Sequence, residues 1–292
     1  MTSVAIIGGY GGMGQMFARI FRRNGFDVVI TGPRSEKGHR VARKLGVAFE
    51  SDNRNAARRA DIVIITVPIG KTLEVIKEVA PVMRKGQLIT DLTSVKKEPC
   101  RAMDEYAPDG VEVLGCHPVF GPMARDFRGQ NFVLCPVRTG ELTSLLKDLL
   151  KKEGAKTIEC SPEEHDRAMG LVQGMTHFML ISAGMAIRDL HFRLDDTRGF
   201  ASPVYQLVLD LIGRILGQDP RLYAEIQMNN PETKRIRGAY LRAAERLDEI
   251  ISRRDENAFI KEMTKAAENF GDTGLALERT QRILEGGNRN ED

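Results

Sequence analysis

Val4-Ala5-Ile6-Ile7-Gly8-Gly9-Tyr10-Gly11-Gly12-Met13-Gly14 is the stretch on which the fold turns. Its apolar, largely β-branched start reads as a short strand, and an amphipathic helix pattern follows from about Gln15 to Arg23. Gly9, Gly11 and Gly14 satisfy G-x-G-x-x-G. That spacing alone is a weak signal, but here it sits between the first strand and the first helix of a βαβ unit, where physics calls for it. Gly9 permits the tight turn, Gly11 lets the backbone approach a pyrophosphate, and Gly14 lets the helix pack on the strand. The helix N-terminus, with Tyr10, Gly12 and Met13 beside it, then faces the anion. The reading is a dinucleotide site, and the alternative is a glycine-rich turn that binds nothing.

Outward from this loop, strand signals recur at 3–8, 26–31, 61–67, 87–92, 112–116, 131–136 and 156–160, alternating with amphipathic segments. Such alternation predicts an α/β protein with an N-terminal Rossmann-type, doubly wound, mostly parallel sheet over residues 1–160. At Ser161-Pro162-Glu163-Glu164 the pattern changes: a serine N-cap, a proline at the first helical position and a glutamate at the third open a helix. Helices are predicted near 162–189, 201–217, 220–229, 231–253 and 255–285, so 161–285 reads as an all-α substrate and dimerisation domain, and 286–292 as a disordered tail. No internal repeat is found.

The chain has 292 residues, 42% of them hydrophobic, and is long enough for one large domain or two ordinary ones. Lys and Arg number 43 against 40 Asp and Glu, and the basic residues are scattered, which gives no support to nucleic-acid or membrane binding. The apolar N-terminus is broken by glycine too soon for a signal peptide, so the expected location is the cytoplasm. Cys100, Cys116, Cys135 and Cys160 are widely spaced and suggest neither a metal site nor a disulfide framework.

The second strand ends Ile30-Thr31-Gly32-Pro33-Arg34-Ser35, without the Asp or Glu that commonly binds the ribose hydroxyls of NAD. With no carboxylate to repel a 2′-phosphate, and with Thr31, Arg34 and Ser35 available to bind one, NADP is the expected cofactor and NAD the alternative. Oxidising an alcohol also requires a group to take the hydroxyl proton, a role suited to a neutral histidine. His117 follows a strand and so falls at the carboxyl edge of the sheet, where ligands of open α/β sheets bind. Ser94 arrives at the same edge in Thr93-Ser94-Val95-Lys96, either to orient a hydroxyl or to cap the helix after it. Gln173 and His177, four apart, share one helical face, with a core histidine as the plain alternative. Arg214 interrupts an apolar helix and invites a substrate carboxylate or an internal acid such as Asp210.

Taken together these pieces resemble the prephenate dehydrogenases of tyrosine biosynthesis, especially the branch fused to chorismate mutase in enteric bacteria. The matching runs are the glycine loop, Asp91-Leu92-Thr93-Ser94-Val95-Lys96, His117-Pro118-Val119-Phe120-Gly121-Pro122 and Glu164-His165-Asp166. They continue with Val172-Gln173-Gly174-Met175-Thr176-His177, Ser202-Pro203-Val204-Tyr205 and Ile212-Gly213-Arg214-Ile215-Leu216-Gly217-Gln218-Asp219-Pro220, spanning nearly the whole chain. The resemblance implies oxidative decarboxylation of prephenate to 4-hydroxyphenylpyruvate. His117 would then accept a hydrogen bond from the ring hydroxyl, with Ser94 orienting it. Arg214 would bind a carboxylate, His177 would line the pocket, and Lys96 and Gln173 would lie near it. His165 and Asp166 are expected to cap or support rather than react. The family also implies a homodimer through the helical half, and no mutase segment is expected before Met1. The rival readings are an arogenate dehydrogenase, another NAD(P)-dependent dehydrogenase, and a non-catalytic nucleotide sensor.

Overall fold

The computed structural model describes residues 1–287. Eight strands form one sheet: β1 Ser3–Ile7, β2 Asp27–Thr31, β3 Ala48–Glu50, β4 Ile62–Ile65, β5 Leu88–Asp91, β6 Glu112–Pro118, β7 Asn131–Arg138 and β8 Lys156–Glu159. Their order is β3-β2-β1-β4-β5-β6-β7-β8. The first six run parallel; β7 turns antiparallel against β6, and β8 runs with β7. This is the doubly wound α/β sheet read from the sequence, with one strand added. β3 is only three residues long and half-exposed, too brief to leave an alternation signal.

Helices cover both faces. One face packs Phe17 and Phe21 of the helix Gly12–Arg23 with Phe127 and Phe132, the rings of Phe17 and Phe132 each lying 4.9 Å from that of Phe127. The other face buries Ile76, Val79, Ile89 and Met103 beneath the helices Ile69–Val79 and Lys97–Tyr106. Being covered on both sides, β1 and β4 are continuously apolar rather than alternating.

The chain divides into two compact units. The first comprises Met1–Gly170 together with Ala224–Pro231, and the second Leu171–Tyr223 with Glu232–Asp292. Two bonds explain why the short segment joins the first unit: Glu225 accepts the backbone N–H of Ile69 at 2.9 Å, and Asn230 donates to the backbone carbonyl of Asp166 at 2.8 Å. Ile226 closes a small apolar cluster with Ile69 and Val95.

The described residues of the second unit hold helices joined by short turns and no strand. At the end of the first unit Ser161 forms the capping box anticipated for the helix Pro162–Met169, and in the second Ser202 caps Pro203–Leu216 by accepting from Tyr205 N–H. Two departures from the helical reading stand out. Residues Gly170–Met175 form a π-helix before α-geometry resumes at Thr176–Asp189. The long final helix is really two, Glu256–Phe270 and Thr273–Gly287, because Gly271 sits at φ +91°, a region closed to most side chains. The tail expected over 286–292 therefore begins inside that last helix, and from residue 288 it lies outside the described residues. Few apolar side chains of this unit are buried, Leu180, Ile212 and Ile236 among them, whereas Met179, Met185, Val208 and Leu211 are exposed. The run Pro162–Asp189 even has the length and mean hydropathy of a membrane-crossing helix, with 17% of its most apolar stretch buried.

Gly14 shows how tightly the first turn is built. A Cβ there would lie 2.6 Å from Gly9 Cα and 2.8 Å from the Gly9 carbonyl, both backbone atoms that cannot swing aside. Gly14→Ala should therefore destabilise the protein by about 1–3 kcal/mol through overpacking, read as a lower thermal midpoint; an unchanged midpoint would refute the packing role.

Candidate active site

Because β1, β2, β4, β5 and β6 all run parallel, their carboxyl ends share one edge of the sheet. The glycine turn after β1, the Thr93–Lys96 turn after β5 and His117 near the end of β6 therefore converge there. The glycine turn fits a dinucleotide phosphate. Gly9 and Gly14 leave no room for side chains, Gly11 occupies the N-cap, and no acidic residue stands in the helix's first turn. A Cβ on Gly12 would lie 2.7 Å from Pro122 Cβ, so the loop that follows His117 packs directly on this turn. Met13 packs against the core beneath it.

At the end of β2, Arg34 and Ser35 are exposed at the start of the helix Ser35–Leu45. Thr31 is not presented with them: it is fully buried, and its hydroxyl donates to Asn53 at 2.6 Å, which removes it from the expected phosphate ligands. Lys37, which carried no signal in the sequence, takes a place nearby, its Nζ 4.8 Å from the centre of the Tyr10 ring.

Lys96 also departs from expectation. Its side chain is fully buried, and the ammonium is held by Asp91, the Thr93 hydroxyl (3.3 Å) and the Cys116 carbonyl (3.1 Å). With its donors consumed inside the fold it does not reach out to a substrate. It braces the β5 turn instead. Burial disfavours its charge, but Asp91 more than compensates and raises its pKa. Thr93 donates its backbone N–H to Asp91 at 3.0 Å and tightens the same turn, which leaves Ser94 half-buried at the sheet edge. Ser94 does not cap the following helix, whose N-cap is Lys96.

His117, 2% exposed, is joined through Nδ1 to His165 Nε2 at 2.8 Å, and His165 Nδ1 meets Asp166 Oδ1 at 2.7 Å. The Asp166 carboxylate takes two further N–H bonds, from Lys96 (2.8 Å) and Lys97 (3.1 Å), at the start of the helix Lys97–Tyr106. Burial pushes the His117 pKa well below that of an ordinary histidine, and the charge on Lys96 pushes the same way. His165 is lowered too, burial outweighing the opposing pull of Asp166. Burial works against the Asp166 carboxylate, but its hydrogen bonds from His165 and the two backbone N–H groups hold its pKa down. The site thus presents a neutral histidine backed by an ionised carboxylate. The sequence placed His165 and Asp166 near a helix start, with nothing to show that they reach across to β6.

In the second unit, the ring of His177 stands edge-on to Tyr223, centroids 4.8 Å apart and planes at 88°. Its Nδ1 is buried without a hydrogen-bond partner among the described residues, and burial lowers its pKa. Arg214 is exposed in the last turn of its helix; burial raises the Tyr223 pKa, and the Arg214 charge opposes that rise. It forms no ion pair with Asp210, which accepts from Gln206 at 2.9 Å. Gln173 lies within the π-helix, four residues before His177, and both side chains are half-buried. Gly174 and Gly184 mark close packing: Cβ atoms there would lie 2.8 Å from Thr233 and Leu216 respectively.

Comparison with known proteins agrees with this layout. Residues 17–159 match the nucleotide-binding domain of prephenate dehydrogenase and residues 161–265 its dimerization domain. A probable arogenate/prephenate dehydrogenase of Methanocaldococcus jannaschii is 45% identical over 272 residues, covering 92% of this chain and 61% of that protein. The T-protein of Haemophilus influenzae is 32% identical over 98% of this chain and 72% of its own length. In fold, the chain is similar to prephenate dehydrogenase from A. aeolicus in complex with hydroxyphenyl propionate and NAD+, with a TM-score of 0.76 at 18% identity over 96% of this chain and 98% of that one. With both domain matches in sequence order and together covering most of its length, the chain belongs to the prephenate dehydrogenase family.

Proposed function

We propose that this chain is an NAD(P)-dependent prephenate dehydrogenase that converts prephenate to 4-hydroxyphenylpyruvate and carbon dioxide. The observation that carries the reading is the neutral, buried His117 beside a glycine turn shaped for a dinucleotide. A bound nicotinamide supplies the hydride acceptor. His117 accepts the hydrogen bond of the ring hydroxyl and takes its proton as the carbon beneath gives up hydride. Ser94 holds the hydroxyl in line, and the ring carboxylate then leaves as carbon dioxide, its bonding electrons completing the aromatic ring. Aromatisation drives the step, so the protein's work is positioning and polarisation. We assign the binding of a substrate carboxylate to Arg214 and a pocket role to His177; among the described residues, the exposed Arg214 has no ion pair and the buried His177 Nδ1 no hydrogen-bond partner.

For the cofactor we favour NADP. No carboxylate ends β2, and Arg34, Ser35 and Lys37 gather where a 2′-phosphate would lie. All four cysteines are free, in keeping with the reducing cytoplasm, where we place the protein. The open apolar face of the helical unit is suited to a second copy of the chain, and we assign it to a homodimer.

Reduction of the nicotinamide should be followed with prephenate or arogenate and NAD or NADP in all four pairings. The expected result is turnover with prephenate and NADP; reduction with arogenate alone would move the substrate assignment, and no reduction in any pairing would overturn the reading. Arg34→Asp should weaken NADP use by about 1.5–3 kcal/mol, roughly 10- to 150-fold, while sparing NAD. His117→Asn should keep nucleotide binding but lose on the order of 10²- to 10⁴-fold in kcat. In the wild type, kcat/KM should fall on acidification with a midpoint below 6.5, since the lowered His117 pKa keeps the ring neutral past that point. Light scattering should give twice the chain mass of 32.5 kDa.

A further inference from the structure

The side chain of His117 does not meet the sheet edge alone. Its Nδ1 is 2.8 Å from His165 Nε2, the rings 5.0 Å apart at 64°, a geometry that requires one nitrogen to donate and the other to accept. Which one donates is decided one bond further on. Asp166 Oδ1 lies 2.7 Å from His165 Nδ1, and an ionised carboxylate only accepts, so His165 carries its proton on Nδ1. In a neutral ring that leaves Nε2 as the acceptor, and His117 must then be protonated on Nδ1. The opposite arrangement would set the lone pair of His165 Nδ1 against a carboxylate oxygen in a buried site.

We propose that His165 and Asp166 are positioning residues that lock His117 into the tautomer with its proton on Nδ1 and its accepting lone pair on Nε2, the nitrogen that serves the substrate hydroxyl. The carboxylate is itself held in place. Backbone N–H groups of Lys96 and Lys97 bind both of its oxygens at the N-terminus of the helix Lys97–Tyr106, and Asn230 fixes its backbone carbonyl. Lys96 and Asp91, paired with one another, also face the histidine pair: the Lys96 charge disfavours protonation of both rings, and Asp91 favours that of His165. Once His117 has taken a proton, the chain His117–His165–Asp166 spreads the resulting positive charge toward a fixed negative one. The catalytic meaning of this arrangement rests on the function proposed above, but the tautomer itself is a property of the protein without substrate.

The test is imidazole nitrogen NMR on the intact, histidine-labelled protein near pH 7, alongside kcat, KM and the pH dependence of kcat/KM. His117→Asn assigns the signals, and thermal melts confirm that each variant is folded. Wild type should show His117 protonated on Nδ1. His165→Gln, whose side-chain oxygen can accept the same proton, should keep that tautomer and retain kcat within about tenfold. Asp166→Asn and His165→Leu should populate the other tautomer and lower kcat on the order of 10²- to 10⁴-fold, with KM little changed. In Asp166→Asn the acid limb should also move to lower pH, because the anion that favours a charged His117 is gone. A wild-type His117 protonated on Nε2, or folded Asp166→Asn and His165→Leu proteins with unchanged tautomer and pH profile, would overturn the proposal. If the tautomer responds as expected while no substrate pairing turns over, the positioning role stands and the proposed reaction fails.

Discussion

The buried ion pair of Lys96 with Asp91 is the constraint around which the site is arranged. Both side chains are fully withdrawn from water, and an unpaired charge in that position would cost about 3–5 kcal/mol. The pair spans the turn between β5 and the helix Lys97–Tyr106, so it sets the course of Thr93, Ser94 and Val95. The same lysine also donates from Nζ to the Cys116 carbonyl, next to His117 on β6, and from its backbone N–H to Asp166. One residue thereby ties together the turn bearing Ser94, the strand bearing His117 and the carboxylate behind the histidines.

A second regularity concerns helix N-termini. Parallel strands followed by helices bring several of these partial positive charges to one edge of the sheet. Two are met from within the protein: Glu225 accepts from Ile69 at the head of Ile69–Val79, and Asp166 from Lys96 and Lys97 at the head of Lys97–Tyr106. Among the described residues, the helix Gly12–Arg23 has no side-chain cap and no acid in its first turn. That N-terminus is open to the phosphate of a dinucleotide.

Much of this was legible in the sequence because period and punctuation are local properties. The glycine turn, the parallel strands, the Ser161 capping box and the helical second half all follow from neighbours in the chain. What escaped depends on distant partners. Thr31 has the chemistry of a ligand, yet Asn53, 22 residues on, claims it inside the fold; Lys96 has it too, and although its partner Asp91 is only five residues away, spacing does not show that the pair is buried. His165 and Asp166 read as the start of a helix, since no local pattern shows that His117 lies 2.8 Å away across 48 residues of chain. The π-helix at Gly170–Met175 keeps the residue types of an α-helix and alters only their register, so it leaves no compositional trace. The break at Gly271 did leave one, a glycine followed by Asp272, and the apolar periodicity running through it masked the stop.

The segment Ala224–Pro231 belongs to the sheet-bearing unit although more than fifty residues of helical chain separate it from Gly170. During synthesis, the nucleotide-binding half emerges first but lacks Glu225 over the N–H of Ile69 and Asn230 under the carbonyl of Asp166 until the ribosome has passed residue 231. The final geometry behind His117 is thus completed only after nearly half of the helical unit has been made, so the nascent chain does not assemble a finished edge before Leu171–Tyr223 exists.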